Sequence, residues 1–145
     1  MRTFHLVINE IDLDKSHNGT AQFLELFNNS PEVVDLTGTS LHFVEGSETP
    51  ARSYDSIPLS GTLPGYGYLV VAHSGVHVDT NATIIPLSPE PNAIQHSNGI
   101  TYGVALYHAP SGTIIDAIVY GGEQDTGIRD VRMTGEPGAW MLTDD

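Results

Sequence analysis

Glycine and proline punctuate this chain more than any other feature, and that spacing limits what it can build. Fifteen glycines and nine prolines are scattered along 145 residues and do not pool in one linker. They cut the chain into short segments, which suits strands better than helices. Residues 20–30 escape both breakers, yet Phe23, Glu25 and Phe27 alternate there with Leu24 and Leu26. A period of two belongs to a strand with one buried face.

The apolar, β-branched segments follow one another closely. Phe4 to Ile11 comes first, then Gln22 to Phe27, closed by the turn-forming run Asn28-Asn29-Ser30-Pro31. Val33 to Leu36 stops at Gly38, and Ser40 to Val44 stops at Glu45-Gly46-Ser47. Ser53 to Leu59 carries Pro58 near its end, as an edge strand does. Tyr66 to His73 is the most apolar run and reads as a central strand. Gly103–His108 and Thr113–Tyr120 flank Ala109-Pro110-Ser111-Gly112 and read as a hairpin. Asp35 suits a local bond to the backbone that follows, Gly38 a positive φ, and Leu63-Pro64-Gly65 a turn with Pro second and Gly third. Residues 86–100 read as a long Pro/Asn-rich loop. Residues 121–139 are Gly-rich and polar, and a C-terminal tail is expected to lay Trp140 on the folded body. The pattern as a whole points to an all-β sandwich or barrel.

Charge narrows the partners. Eighteen acidic residues face five basic ones, for a net charge of −13 with His neutral. Such a surface repels phosphate, which disfavours nucleic acid and anionic lipid, and favours a cation. Cysteine is absent, so disulfides, thiolate metal sites and cysteine nucleophiles are excluded. No apolar run approaches the ~20 residues of a membrane helix. The first residues enter a strand pattern without a cleavable leader, as in a cytosolic protein or a domain of a larger one.

The order of these segments resembles a known family. Val7-Ile8-Asn9-Glu10-Ile11 is followed by Phe23-Leu24-Glu25-Leu26-Phe27-Asn28 and by Val34-Asp35-Leu36-Thr37-Gly38-Thr39-Ser40-Leu41. Then come Leu59 to Val71, Gly103-Val104-Ala105-Leu106-Tyr107, and Ile115-Asp116-Ala117-Ile118-Val119-Tyr120-Gly121. Together they resemble the lamin tail domain, in its bacterial extracellular type. The insert from Val76 to Asn98 is closer to bacterial members than to animal lamins. The resemblance implies an all-β, immunoglobulin-like β-sandwich over residues 1–122, with residues 123–145 as a tail partly packed on it. It also implies a non-catalytic accessory module of an exported bacterial protein, at the cell surface or outside the cell, for binding, adhesion or spacing. The expected partners are the other domains of that protein and an extracellular ligand, with no nucleic acid and no membrane insertion.

The residues themselves offer few reactive constellations. G-x-S-x-G, H-E-x-x-H and phosphate-loop patterns are all missing. The best candidate is the loop from Glu10 to Gly19. Asp12, Asp14 and Ser16 occupy positions 1, 3 and 5 of a calcium loop, but His17 and Phe23 stand where an EF-hand needs Gly and Glu. Two readings stay open: a non-EF calcium site built from Asp12, Asp14 and Asn18, with Glu10 or Glu25, or a solvated turn. Glu25, between Phe23 and Phe27, is either a ligand or a structural carboxylate bonded to a backbone N–H or to Arg52. Seven histidines are many for this length, but they fall in separate segments. Tyr54, Tyr66, Tyr68, Tyr102 and Tyr107 are either an aromatic ligand surface or core and pairing residues. Asn28 and Asn29 sit in one of three glycosylation-type sequons but suit the turn better. The alternative to a binding module is a small metal-dependent hydrolase, with Asp12, Asp14 and a histidine such as His73 or His108 holding the ion.

Overall fold

The computed structural model describes residues 4–14, 18–46, 52–90, 92–95, 100–121, 131–134 and 141–144. Twelve strands run through them: β1 (Leu6–Asp12), β2 (Phe23–Asn28), β3 (Val34–Asp35), β4 (Thr39–Glu45), β5 (Arg52–Pro58), β6 (Thr62–Leu63), β7 (Tyr68–Ala72), β8 (Thr83–Pro86), β9 (Thr101–His108), β10 (Thr113–Gly121), β11 (Val131–Thr134) and β12 (Met141–Asp144). The one helical piece among the described residues is a single 3₁₀ turn, Ala109–Ser111. The chain forms two compact units, Met1–Thr37 with Gly61–His96, and Gly38–Ser60 with Ser97–Asp145.

The first unit is built on a sheet of order β1-β2-β7-β8. The alternation read from residues 23–27 decides its faces. Leu24, Leu26 and Asn28 are buried, whereas Phe23, Glu25 and Phe27 are half-buried on the other side. Leu6, Leu36, Leu63, Leu69, Val71 and Ile94 are also buried. β1 and β2 are antiparallel, with a bulge at Asn9, so that Val7 faces Phe27 and Ile8 faces Leu26, but Glu10 faces Glu25. β7 is an inner strand, as its apolar run implies. Its neighbour β8 runs parallel to it, which demands a crossover, and residues 73–82 supply one. Thr83-Ile84-Ile85-Pro86 was absorbed into an irregular insert by the sequence pattern. Four residues ending in Pro carry no local strand signal strong enough to separate them from a loop. β3 and β6 form a two-residue ladder.

The second unit holds a sheet of order β10-β9-β4-β5. β5 lies at its edge, where Pro58 is tolerated. β9 and β10 form the expected hairpin, and Gly112 closes its four-residue connection with φ +62°. Gly38 adopts φ +78°, and a side chain there would meet the ring of Pro110. One face presents Leu41, Phe43, Tyr102, Val104 and Leu106, all fully buried. Tyr102 lies edge-on to Tyr54 and parallel to Tyr120, each at 6.2 Å. Burial, reinforced by these neighbouring phenols, pushes the hydroxyls of Tyr54 and Tyr120 well above the usual phenol range. On the opposite face Val44, Ala105 and Tyr107 pack with Ile114, Ala117 and Val119. β11 and β12 pair with each other; Trp140 lies outside the described residues.

One expected turn is displaced. The Gly67 N–H donates to the Pro64 carbonyl at 2.9 Å, so Pro64 opens the turn and Tyr66 occupies its third position with φ +55°. Gly65 is needed for a different reason than positive φ: a Cβ there would collide with the main-chain carbonyl of Pro31.

His42 on β4 gives a pH test. Its Nε2 bonds Ser40 Oγ at 2.9 Å, its ring meets Tyr107 edge-on at 6.0 Å, and burial holds its pKa below the usual imidazole value. A lowered folded-state pKa means that the unfolded chain takes the proton first, so stability falls as pH drops through the unfolded value, near 6.5. Urea midpoints of the parent should therefore fall between about pH 7.5 and about pH 6, and those of His42→Gln should fall less. Equal slopes would remove His42 as a source of the effect.

Candidate functional site

One candidate site lies on the side of the β1-β2-β7 sheet that carries Phe23, Glu25 and Phe27. It is a cleft of about 660 Å³, floored by Phe23, Glu25 and Val70 and walled by Tyr66 and Tyr68 on one flank and residues 76–79 on another. Val70 faces Glu25 across the β2–β7 ladder and is 5 % exposed. Tyr66 and Tyr68 remain 59 % and 42 % exposed. Tyr68 is held against its register partner Phe27 by stacking, 4.8 Å between centroids and 30° between planes. Three carboxylates, Glu10, Glu25 and Asp79, line the cleft together with His77, and its lining includes neither lysine nor arginine.

A buried amide sets the position of the tyrosine flank. Asn28 is 0 % exposed. Its Nδ2 donates to the carbonyls of Glu32 at 2.7 Å, Pro64 at 2.9 Å and, more weakly, Leu63 at 3.3 Å. Its Oδ1 accepts from Ser30 Oγ at 2.8 Å, and its main-chain N–H donates to the Gly67 carbonyl at 3.0 Å. The Tyr66 N–H donates to the Ser30 carbonyl at 2.9 Å. One side chain thus joins the bend after β2 to the turn that carries Tyr66, satisfying main-chain groups that would otherwise be buried unpaired. It is also too enclosed to accept a glycan.

The loop after β1 is organised by main-chain bonds. Asp12 Oδ1 accepts the Asp14 N–H at 2.8 Å, an Asx turn, and Asp14 Oδ2 accepts the Ala21 N–H at 2.6 Å. Asp14 is buried and adopts φ +49°; Asn18 is exposed and adopts φ +57°. Asp and Asn tolerate this left-handed region better than other side chains, which gives all three residues a conformational role. Glu25 and Glu10 belong to the cleft. Glu25 Oε1 accepts from Asn9 Nδ2 at 2.7 Å, a partner the sequence pattern did not single out because the bulge at Asn9 creates it.

The histidines have separate assignments. His73 is buried; its Nδ1 accepts the Gln22 N–H at 2.9 Å, so Nε2 carries the proton and donates to the Glu90 carbonyl at 3.1 Å. Gln22 donates through Nε2 to Leu13 O at 3.0 Å and accepts the Ile94 N–H through Oε1 at 2.8 Å. His108 Nδ1 bonds Ser111 Oγ at 2.7 Å in the β9–β10 connection. Among the described residues no three His, Asp or Glu side chains come together so as to hold one metal ion. The tyrosines divide: Tyr54 and Tyr102 belong to the packed ring cluster of the second unit, and Tyr66 and Tyr68 to the cleft.

Short strands in two four-stranded sheets, with no helix beyond one 3₁₀ turn among the described residues, fit an immunoglobulin-like β-sandwich. The chain belongs to the lamin tail domain family, whose model matches residues 2–122. Members are immunoglobulin-like, non-enzymatic domains. A comparison with curated proteins gives no match.

Asn28→Ala removes the donor shared by Glu32, Leu63 and Pro64, and a cost of about 3 kcal/mol is expected from buried carbonyls left unpaired. Asn28→Asp keeps the shape but replaces the donor with an acceptor and should cost at least as much at neutral pH. Urea unfolding measures both; an Asp variant as stable as the parent would refute the pinning role.

Proposed function

We propose that this domain is a non-catalytic binding module of an exported bacterial protein, working at the cell surface or outside the cell in ligand binding, adhesion or spacing. The observation that carries the reading is the cleft with Tyr66 and Tyr68 held exposed on a braced turn. Adjoining exposed apolar groups in a cleft mark interaction sites, and here Asn28 and the Phe27 stack hold the rings in place. Family membership supports the modular role, and the net charge of −13 suits a well-solvated exported domain.

The proposal includes calcium as a stabiliser of the loop bearing Asp12, Asp14 and Asn18, because hard oxygen ligands at this spacing suit a hard cation. Millimolar calcium should then raise the thermal midpoint of the parent and leave the Asp12→Ala/Asp14→Ala variant unmoved. No shift in the parent removes calcium and leaves the module.

The purified domain should turn over none of a panel of phosphodiester, phosphomonoester, carboxylic ester and glycoside substrates, with calcium, magnesium or zinc present. Turnover abolished by Asp12→Ala or His73→Ala would overturn the module in favour of a metal-dependent hydrolase. Fractionation of the source cells supplies the second arm: the parent protein is expected in the medium or on the surface, and retention in the cytosol would overturn export.

A further inference from the structure

Resting on the reading of a binding module, we propose that the cleft of β1, β2 and β7 takes a basic peptide segment, with a lysine or arginine side chain laid between the tyrosine flank and the glutamate pair. The cleft is lined by more apolar than polar surface and carries three carboxylates, and its size fits a side chain with its neighbours far better than a single ion. Its carboxylates and imidazole, from Glu10, Glu25, Asp79 and His77, are not gathered closely enough for any three of them to hold one metal ion. Glu10 and Glu25 face each other across the β1–β2 ladder and Asp79 stands on the 76–79 flank, so the cleft offers negative charge to a partner from two sides.

Two features of the backbone point the same way. The bulge at Asn9 shifts the β1–β2 register so that Glu10 stands directly opposite Glu25. Like charges facing each other across a ladder are unfavourable, and a bulge is a device that re-aims a side chain. The second is the turn that presents Tyr66 at φ +55°, a conformation that favours glycine. Both place a group at the cleft at some cost to the folded domain, and a cation there relieves the first. A guanidinium or ammonium lies over an aromatic face while its N–H groups reach carboxylates. The surrounding charge of −13 speeds the encounter but does not by itself select the cleft.

The probe is a fluorescein-labelled peptide with four Arg-Gly repeats, with a citrulline version as the neutral control, measured by anisotropy with the purified domain. Binding of the arginine peptide that weakens with salt, with the citrulline peptide at least about tenfold weaker, is expected. Glu10→Gln/Glu25→Gln should weaken binding about tenfold, while Glu32→Gln/Glu90→Gln, which changes net charge equally at sites outside the cleft, should leave it within about twofold. Tyr66→Leu and Tyr68→Leu, which keep apolar bulk, should each cost about threefold. Amide chemical-shift mapping on the unmodified protein avoids reliance on any variant; shifts should concentrate at residues 64–68 and 76–82. Equal losses from both glutamine pairs, or shifts dispersed over the acidic surface, would overturn the site. Binding of a neutral hexasaccharide in the cleft, with no arginine-peptide binding, would overturn the ligand class but leave the module reading standing, whereas turnover in the substrate panel is what would remove the module itself.

Discussion

Three buried polar side chains, Asn28, Gln22 and His73, hold the first unit in its shape. Strands cut short by glycine and proline leave much of the chain in loops, and a loop drawn against a core carries main-chain groups that water cannot reach. Asn28 satisfies the bend after β2 and the turn before β7. Gln22 satisfies Leu13 on one side and Ile94 on the other. His73 joins the Gln22 amide to the Glu90 carbonyl. Each bond is worth only about 1 kcal/mol net, but each group left unpaired costs about 1–3 kcal/mol. The network therefore works chiefly by making alternative loop positions expensive. It explains how Ile94, inside a segment with the composition of a solvated loop, is fully buried.

The same network decides where recognition is possible. Asp14 and His73 looked like chemistry in the sequence because carboxylates and imidazoles are versatile groups. In the structure their bonds are to loop main chain, at the end of the first unit where β1, β2 and β7 meet their connections. The cleft draws on other members of the same strands: Glu25 and Phe23 face it, and Leu24 and Leu26 face away. A single alternation along β2 thus separates the residues buried in the unit from those that line the cleft.

Most of the strand order was legible because period two, Gly/Pro boundaries and β-branched runs agree from β1 to β5 and again at β7, β9 and β10; the two residues of β6 adjoin the Pro64 turn and carry no strand pattern of their own. Pro58 marked an edge, and Ala109-Pro110-Ser111-Gly112 marked a hairpin, through local chemistry alone. β8 escaped because its identity depends on parallel pairing with β7, a contact with no local signature. The cleft was only half legible. Glu25 stood out between two phenylalanines, and Tyr66 and Tyr68 were on the aromatic roster, but nothing in the order of residues separates them from Tyr54 and Tyr102, which are packed. The missing information is the bulge at Asn9, which pairs Glu10 with Glu25, and the close approach of Gly65 to Pro31, which moves the turn by one residue.

That displaced turn carries the argument furthest. Among the described residues, four that are not glycine have positive φ: Asp14, Asn18, Asn92 and Tyr66. Asp and Asn accept this conformation readily, but a tyrosine pays roughly 1–2 kcal/mol for it. Elsewhere the fold gives such positions to glycine, at Gly38, Gly61 and Gly112. At the turn the glycine sits one residue earlier, forced there by the Pro31 carbonyl, and the strained position falls to an exposed ring. The register at Glu10 and Glu25 is a second local conflict on the same surface. Sequence and structure agree over most of this domain; they differ at β8, at the Pro64 turn and at the Asn9 bulge, and the last two local conflicts adjoin one cleft, the kind of place where backbone strain collects.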